Sequence, residues 1–168
     1  MKKVVLEVAK SLAEALLIVA LVVSVAYVAT GTWHVGFAVE SGSMEPNMQV
    51  GDLILVQAPH RTTITTYEEG QQLDYTTFND YGNVIIYRPN GITSVTPIIH
   101  RAMDWVEEGK KMPDGMPAPH AGYITKGDTN QHPDQPRYEP VKPEWVVAVA
   151  KARVPYLGYP SLILKKGF

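Results

Sequence analysis

The chain has 168 residues and no cysteine. This absence excludes thiol nucleophiles, disulfide bonds and thiolate-ligated metal sites. The chain also has no large excess of positive or negative charge. It contains 15 lysines and arginines and 17 aspartates and glutamates, which gives a formal net charge of -2. A nearly balanced charge does not provide the basic patch that a nucleic-acid partner requires. The length suits one domain with an appended segment.

The longest apolar segment is residues 12–29, LAEALLIVALVVSVAYVA. As a helix it would be roughly 27 Å long, close to the roughly 30 Å thickness of the bilayer hydrocarbon. Three lysines precede it, and the next basic residue is Arg61. This bias predicts a cytoplasmic N-terminus. We therefore predict a cytoplasmic start and a single transmembrane anchor over residues 1–30, and an extracytoplasmic domain over residues 31–168.

Two alternatives for this segment stay open at the level of sequence. A cleaved secretory signal also has a basic start and an apolar stretch, although this run is long and residues 26–29 (AYVA) make a poor cleavage site. A buried core helix is the second alternative, because valine and leucine surround the helix on all faces. A surface amphipathic helix is disfavoured, since no polar face continues beyond the first turns.

The rest of the chain predicts a mainly β domain. Thirteen glycines and 13 prolines, together with many Val, Ile, Thr and Tyr residues, are typical of turn-rich β structure. The run 50–56 (VGDLILV) is continuous enough for a strand buried on both faces. We expect an exposed hairpin or loop at 60–81 and an irregular linker at 110–120, and no segment between Thr30 and the tail shows clear helical periodicity. Strands are predicted at 35–39, 50–56, 83–89, 98–105, 122–126 and 145–153.

The tail, residues 156–168, ends in an apolar stretch followed by Lys165 and Lys166. This pattern is compatible with a membrane-facing edge or with the start of a second span. The sequence does not decide between the two.

One short turn carries a candidate nucleophile. In SGSMEP, residues 41–46, two serines flank a glycine that is free to take unusual backbone angles, and Pro46 stiffens the exit. A nucleophilic serine needs an accessible hydroxyl, nearby backbone N–H groups and a base. Ser41 and Ser43 supply two candidate hydroxyls, and the base has to come from elsewhere in the chain. Serine–glycine turns are also common as simple turns.

The base would come from one of five histidines. His100 ends the apolar run PIIH, and a polar side chain at this place on a rigid strand can be held for catalysis. The alternative is a partly buried, hydrogen-bonded histidine. His34 adjoins Trp33 near the predicted membrane surface, and His60, His120 and His132 fall in predicted loops.

A polar turn after a predicted strand supplies two acids, Asp128 and Asp134, within KGDTNQHPD. An acid against His100 would fix the tautomer of the imidazole and stabilise its charged form. An Asx turn at Asp128 or Asn130 is the structural alternative. A metal loop using Asp128, Asp134 and His132 is a further one, although it lacks the pattern of a calcium loop.

Taken in order, these segments resemble the successive sequence boxes of type I signal peptidases. They are the apolar run, SGSMEP, VGDLILV, NVIIYRP, IIHRAM and TKGDTNQHPD, which span about residues 10–158. The resemblance implies a signal-peptidase-like β catalytic domain behind a transmembrane helix. Two features depart from the family pattern: the segment 60–81 is longer than usual, and no clear second span follows.

The position of His100 assigns the branch of the family. Bacterial members have a lysine base there, whereas the histidine form is similar to archaeal and endoplasmic-reticulum signal peptidases of the Ser-His-Asp type. The resemblance implies Ser43 as nucleophile, His100 as general base and Asp134 as the triad acid. Asp128 would support the site.

By the same resemblance, the Ser43 N–H and the Ser41 hydroxyl would form the oxyanion hole. The implied activity is removal of signal peptides from exported preproteins at the membrane, without a metal or organic cofactor. Implied partners are these preproteins, the lipid bilayer and possible accessory subunits, with no nucleic acid. A non-catalytic, membrane-tethered β binding module is the alternative function. The substrate pockets would be lined by Met44, Ile98 and Ile99.

Overall fold

The structure is a computed structural model that describes residues 2–166. Its main layer is a curled, six-stranded antiparallel sheet with the order β1-β2-β8-β5-β6-β7, and β3 and β4 form a separate two-stranded ribbon. Three helices make the architecture mixed α/β, and the antiparallel sheet forms most of the regular structure that follows α1. The helices are α1 (Lys2–Thr30), α2 (Tyr67–Leu73) and α3 (Tyr159–Lys166). The strands are β1 (Gly36–Ala38), β2 (Leu53–Gln57), β3 (Thr76–Thr77), β4 (Asp80–Tyr81), β5 (Val84–Tyr87), β6 (Ile98–Val106), β7 (Gly122–Lys126) and β8 (Val146–Val154).

Helix α1 projects from the domain. None of its most apolar window is buried by the rest of the chain, so the alternative of a buried core helix is wrong. By length and composition, α1 is able to cross a membrane. Its end is held against the domain, because the Ala58 N–H donates to the Thr30 carbonyl at 2.8 Å and the Arg61 guanidinium donates to the Val28 carbonyl. The orientation of α1 and its retention in the mature protein stay predictions.

The sheet curls because its ladders are irregular. Register shifts occur between β2 and β8, between β5 and β8, and between β6 and β7. Such bulges bend a strand and increase its twist. The curl brings the edge strand β1 and the start of β6 to opposite sides of one groove, although three strands separate them in the sheet.

The core lies on both faces of the central strand β5. All four residues of β5 are buried, and successive side chains point into two apolar clusters, one including Met44 and Ile54 and the other including Tyr87 and Val149. The prediction that 50–56 forms a strand buried on both faces is wrong. That strand begins at Leu53, and Leu55 is 37% exposed on its outer face.

Two helices occupy segments for which no helix was predicted. Helix α2 lies within 60–81, and its start has a capping box: the Glu69 N–H donates to the Thr66 hydroxyl, and the Thr66 N–H donates to the Glu69 carboxylate. Thr66-Tyr67-Glu68-Glu69 is the sequence signal for this cap. Helix α3 occupies most of the tail, whereas residues 167 and 168 lie outside the described part.

Candidate active site

The SGSMEP turn follows β1 and places Ser43 at the domain surface. Residues Gly42–Met44 form a single 3₁₀ turn, and the side chain of Met44 is buried beneath it. Thr129 holds the turn from the other side: its N–H donates to the Ser43 carbonyl at 3.0 Å, and its hydroxyl donates to the Glu45 carbonyl at 2.6 Å. Ser43 is therefore on a turn fixed from both sides.

His100 lies opposite Ser43 on β6. Its backbone pairs with Ile85 of the buried strand β5, and the residue is 7% exposed. The imidazole Nε2 lies 3.0 Å from the Ser43 Oγ, and Nδ1 lies 2.7 Å from the Asp134 Oδ2. With a proton on Nδ1, His100 donates to Asp134 and accepts from the Ser43 hydroxyl. The three side chains form one hydrogen-bonded chain with the geometry of a nucleophile, a base and an orienting acid.

Asp134 is held as a carboxylate by several donors. The Tyr87 hydroxyl donates to its Oδ2 at 2.8 Å, and the Thr125 Oγ1 lies 2.6 Å from the same oxygen. Burial acts to raise the pKa of this carboxyl, but the hydrogen bond and electrostatic attraction of His100 lower it, as do the other two donors, and the net pKa is below its ordinary value. Burial, followed by the charge of Asp134, raises the pKa of Tyr87, so the phenol remains a donor.

Asp128 has a different environment and does not contact His100. It forms a bidentate ion pair with Arg101, with Nε at 2.9 Å from Oδ1 and Nη2 at 2.8 Å from Oδ2. The Asn47 amide donates to Oδ2 at 2.8 Å. The Arg101 Nη1 also donates to the carbonyls of Thr77 and Tyr81, each at 3.1 Å. Asp128 therefore joins the KGDTNQHPD turn to Asn47, which follows the SGSMEP turn. Through Arg101 it also joins the KGDTNQHPD turn to the β3–β4 ribbon.

The predicted oxyanion-hole group, Ser41, lies beside the nucleophile candidate. Its Oγ is 3.3 Å from the Ser43 Oγ, and both residues line the same groove. The hydroxyl is therefore close to where a tetrahedral oxyanion would form. Its catalytic role stays a prediction.

A groove of about 710 Å³ leads to these side chains. Strand β1 and the SGSMEP turn form one wall, and residues 96–100 form the other. Along this second wall, β7 pairs with β6 only from Arg101 onward, so no strand of the sheet covers Ile98 and Ile99 on the β7 side. All three predicted substrate-binding residues line the groove: Met44, which is buried, and Ile98 and Ile99, which are half-buried.

Gly127 is part of the site although no sequence pattern predicted it. A Cβ atom added to it would lie 2.6 Å from the Ser43 carbonyl oxygen and 2.9 Å from the His100 Nε2. No side chain fits there without moving the serine turn or the imidazole. The support of Asp134 by Tyr87 and Thr125 was also missed, although Tyr87 ends the NVIIY run and Thr125 lies in the strand before KGD. No local pattern marks these contacts, since they form only in the folded chain.

The remaining histidines lie apart from this chain of side chains. His132 and His60 are exposed, and the His120 Nε2 contacts Glu139 at 3.1 Å. His34 lines the groove and stacks on Phe37. Residues 2–166 contain no group of three or more His, Cys, Asp or Glu side chains that could hold a metal ion. The two acids considered for a metal loop are engaged by Arg101 and His100 instead.

Compared with known proteins, the chain matches no family model and no curated sequence. Its function is therefore inferred from the geometry of this site.

Proposed function

We propose that this chain is a membrane-bound serine endopeptidase that removes signal peptides from exported preproteins. The observation that supports the proposal is the hydrogen-bonded chain from the Ser43 Oγ through His100 to Asp134, placed at an open groove. The sequence resemblance to type I signal peptidases of the Ser-His-Asp type supplies the substrate class.

Acylation starts from the contacts of the resting site. The His100 Nε2 takes the Ser43 proton as the Oγ attacks the carbonyl carbon at the cleavage site. The Nδ1–H of the resulting imidazolium donates a hydrogen bond to Asp134, which stays ionised. When the tetrahedral intermediate collapses, the C–N bond breaks and His100 gives its Nε2 proton to the leaving amine, so an ester forms on Ser43. His100 then takes a proton from water as the water oxygen attacks the ester carbon. The second tetrahedral intermediate collapses with cleavage of the C–Oγ bond, His100 returns its Nε2 proton to the Ser43 Oγ, and the signal peptide leaves with a new C-terminal carboxylate.

The oxyanion of each tetrahedral intermediate would be stabilised by the Ser43 N–H and the Ser41 hydroxyl. Loss of one such donor typically costs about a hundredfold or more in turnover. Ser41→Ala is therefore expected to lower kcat strongly while Ser43 remains able to react.

Substrate would bind in extended form along the groove. The edge strand β1 has a strand neighbour on one side only, and Ile98 and Ile99 are not covered by β7, so both walls are suited to backbone hydrogen bonding with an added strand. Small residues one and three positions before the cut would face the apolar walls near Met44. Deep side-chain pockets are not needed for such a substrate.

Helix α1 would place the domain at the membrane surface with its N-terminus in the cytoplasm. The apolar segment of a preprotein ends at the same surface, so anchoring raises the effective concentration of substrate at the site. In this proposal the reaction needs no metal or organic cofactor, and accessory subunits are an additional possibility at the membrane.

The test is cleavage of a secretory preprotein in detergent by the purified wild type, Ser43→Ala and His100→Ala. Cleavage after a small residue by the wild type alone, with all three proteins folded by circular dichroism, is the expected result. His100→Lys should also be inactive, because a lysine in this environment would have to lose its proton to act as a base. Unchanged cleavage by Ser43→Ala or His100→Ala would remove that residue from the mechanism. A folded wild type that binds the preprotein without cutting it would favour the tethered β binding module.

A further inference from the structure

The C-terminal helix α3 lies in the same groove as the proposed catalytic residues. Its residues Ser161, Leu162 and Lys165 line the groove together with β1 and residues 96–100. The start of the helix is fixed to the domain, because the Gly158 N–H donates to the Gly51 carbonyl at 2.9 Å. The path of a substrate strand therefore passes α3 before it leaves the groove.

The Lys165 ammonium connects the two walls of the groove. Its Nζ lies 2.7 Å from the Glu40 Oε1, on the segment that follows β1, and 3.4 Å from the Thr96 Oγ1, on the segment that precedes β6. We call these three side chains the Lys165 latch. A chain extended between the walls at this point would compete with both contacts.

The latch lies to one side of the proposed catalytic residues. Strands β1 and β6 run in the same direction, because four antiparallel pairings separate them in the sheet. Glu40 comes three residues before Ser43, and Thr96 comes four residues before His100. Both latch residues therefore lie on the side of the groove that precedes Ser43 and His100 along the two walls.

The contacts that hold the C-terminal half of α3 in place are weak. The Lys165 and Glu40 side chains are 55% and 45% exposed, and an exposed ion pair contributes little to stability. Ile163 and Leu164 are 69% and 67% exposed, so they add no packing against the domain. An element with few buried contacts opens more readily than the sheet beneath it.

We propose that the Lys165 latch determines specificity for substrate length, since a chain that extends upstream of the cut has to open it, whereas a short peptide does not. This proposal rests on the proposed peptidase activity and on its assignment of the upstream side of the substrate to the walls near Ser41 and Ile98. Opening replaces the contacts of Lys165 with solvent and moves α3 away from the wall. The latch selects among substrates without taking part in the chemistry.

A series of peptides tests the proposal, with three, five and eight residues before the same cleavage site. Lys165→Ala should raise kcat/KM about two- to fivefold for the longer peptides, through a lower KM, and leave the three-residue peptide unchanged. Lys110→Ala, an exposed lysine in the β6–β7 linker, is the matched control and should change none of them. An equal effect of Lys165→Ala at every length, or a loss of activity towards the long peptides, would overturn the proposal.

The absence of cysteine allows the latch to be closed covalently. In Glu40→Cys/Lys165→Cys, a reducible bis-maleimide cross-linker should block cleavage of the eight-residue peptide, leave the three-residue peptide cleaved, and release the block on reduction. Undiminished cleavage of the long peptide by the cross-linked protein would also overturn the latch.

A readout without catalysis separates failure of the latch from failure of the proposed function. In Ser43→Ala/Ile98→Cys, the rate of labelling by a bulky maleimide should rise when Lys165→Ala is added and stay constant when Lys110→Ala is added. A rate that does not respond to Lys165→Ala contradicts the latch whether or not the wild type cleaves preproteins.

Discussion

Asp134 and Asp128 belong to one polar turn but have opposite surroundings. Asp134 accepts hydrogen bonds from neutral hydroxyls and from His100, a group whose charge changes with its protonation. Asp128 is paired with the Arg101 guanidinium, whose charge is permanent. The first arrangement suits a carboxylate that stabilises an imidazolium as it forms. The second suits a fixed connection between segments.

The comparison shows that residue type and local sequence do not assign the role of an acid. The turn presents the two carboxylates to different strands: Asp134 faces Tyr87 and His100, whereas Asp128 faces Arg101. Because His100 and Arg101 are adjacent on β6, their side chains point to opposite faces of the sheet. One acid therefore reaches the groove and the other reaches the β3–β4 ribbon.

The largest effect is expected from Asp134→Asn. The amide is isosteric but has no charge and allows the wrong imidazole tautomer, so kcat should fall by roughly 10⁴-fold, as in other Ser-His-Asp sites. Asp128→Asn is the matched control and should lower kcat less than tenfold. Steady-state kinetics on one preprotein measures both, and equal losses would remove the distinction between the two acids.

Arg101→Met should have its main effect on stability. It leaves the carboxylate of Asp128 buried without its ion-pair partner, which typically costs about 3–5 kcal/mol in the free energy of unfolding. Urea denaturation of the detergent-solubilised chain measures this change. Lys110→Met, at an exposed position, should be close to neutral, and a comparably small effect of Arg101→Met would show that the ion pair is not a structural connection.

Gly127→Ala tests how closely the backbone at residue 127 approaches Ser43 and His100. The added methyl would press on the Ser43 carbonyl and the His100 imidazole, and a displacement near 1 Å costs roughly 10²-fold in rate. Gly109→Ala is the contrasting variant, because no atom lies within 4 Å of the added Cβ. Its φ of +76° is unfavourable for alanine, so this substitution strains the backbone without a steric clash. It should lower stability with little change in kcat. A Gly127→Ala protein with wild-type kcat would contradict the contact.

The smallest effect concerns stability at acid pH. The folded protein lowers the pKa of Asp134, so the unfolded chain binds this proton more readily. The stability that this carboxylate contributes is present above the ordinary carboxyl pKa of about 3.9 and is lost as the pH falls through the lowered value. Asp134→Asn should therefore make unfolding less dependent on pH below about 4, whereas Asp114→Asn controls for removal of a surface carboxylate. If the free energy of unfolding of Asp134→Asn depended on pH below about 4 as strongly as that of the wild type, the lowered pKa would be contradicted.

Much of the sheet was predictable from sequence. The strands β6, β7 and β8 lie within one residue of their predicted limits at each end, since each contains β-branched or aromatic residues and is bounded by turn residues. Helices α2 and α3 were missed because both are short and lack an apolar period, although the capping box of α2 was visible in the sequence. The outer face of β2 was misjudged, because burial depends on which strand covers it.

The candidate site was only partly predictable. Ser43 and His100 were identified as candidates, but 57 positions separate them, and their 3.0 Å contact depends on the curl of the sheet. The residues alone left Asp128 and Asp134 as alternatives, and only their partners in the fold distinguish them. The requirement for glycine at 127 arises from the approach of two distant segments, which no local pattern encodes.

The most direct measurement is a search for the acyl-enzyme. Wild-type protein mixed with a preprotein and quenched rapidly in acid should carry an ester on Ser43, detected by mass spectrometry of the peptide that contains residues 41–46. We expect this adduct on Ser43, a smaller amount in Asp134→Asn, and none in Ser43→Ala. Cleavage that proceeds equally in Ser43→Ala, or an adduct on Ser41 instead, would contradict the assignment of Ser43 as the nucleophile.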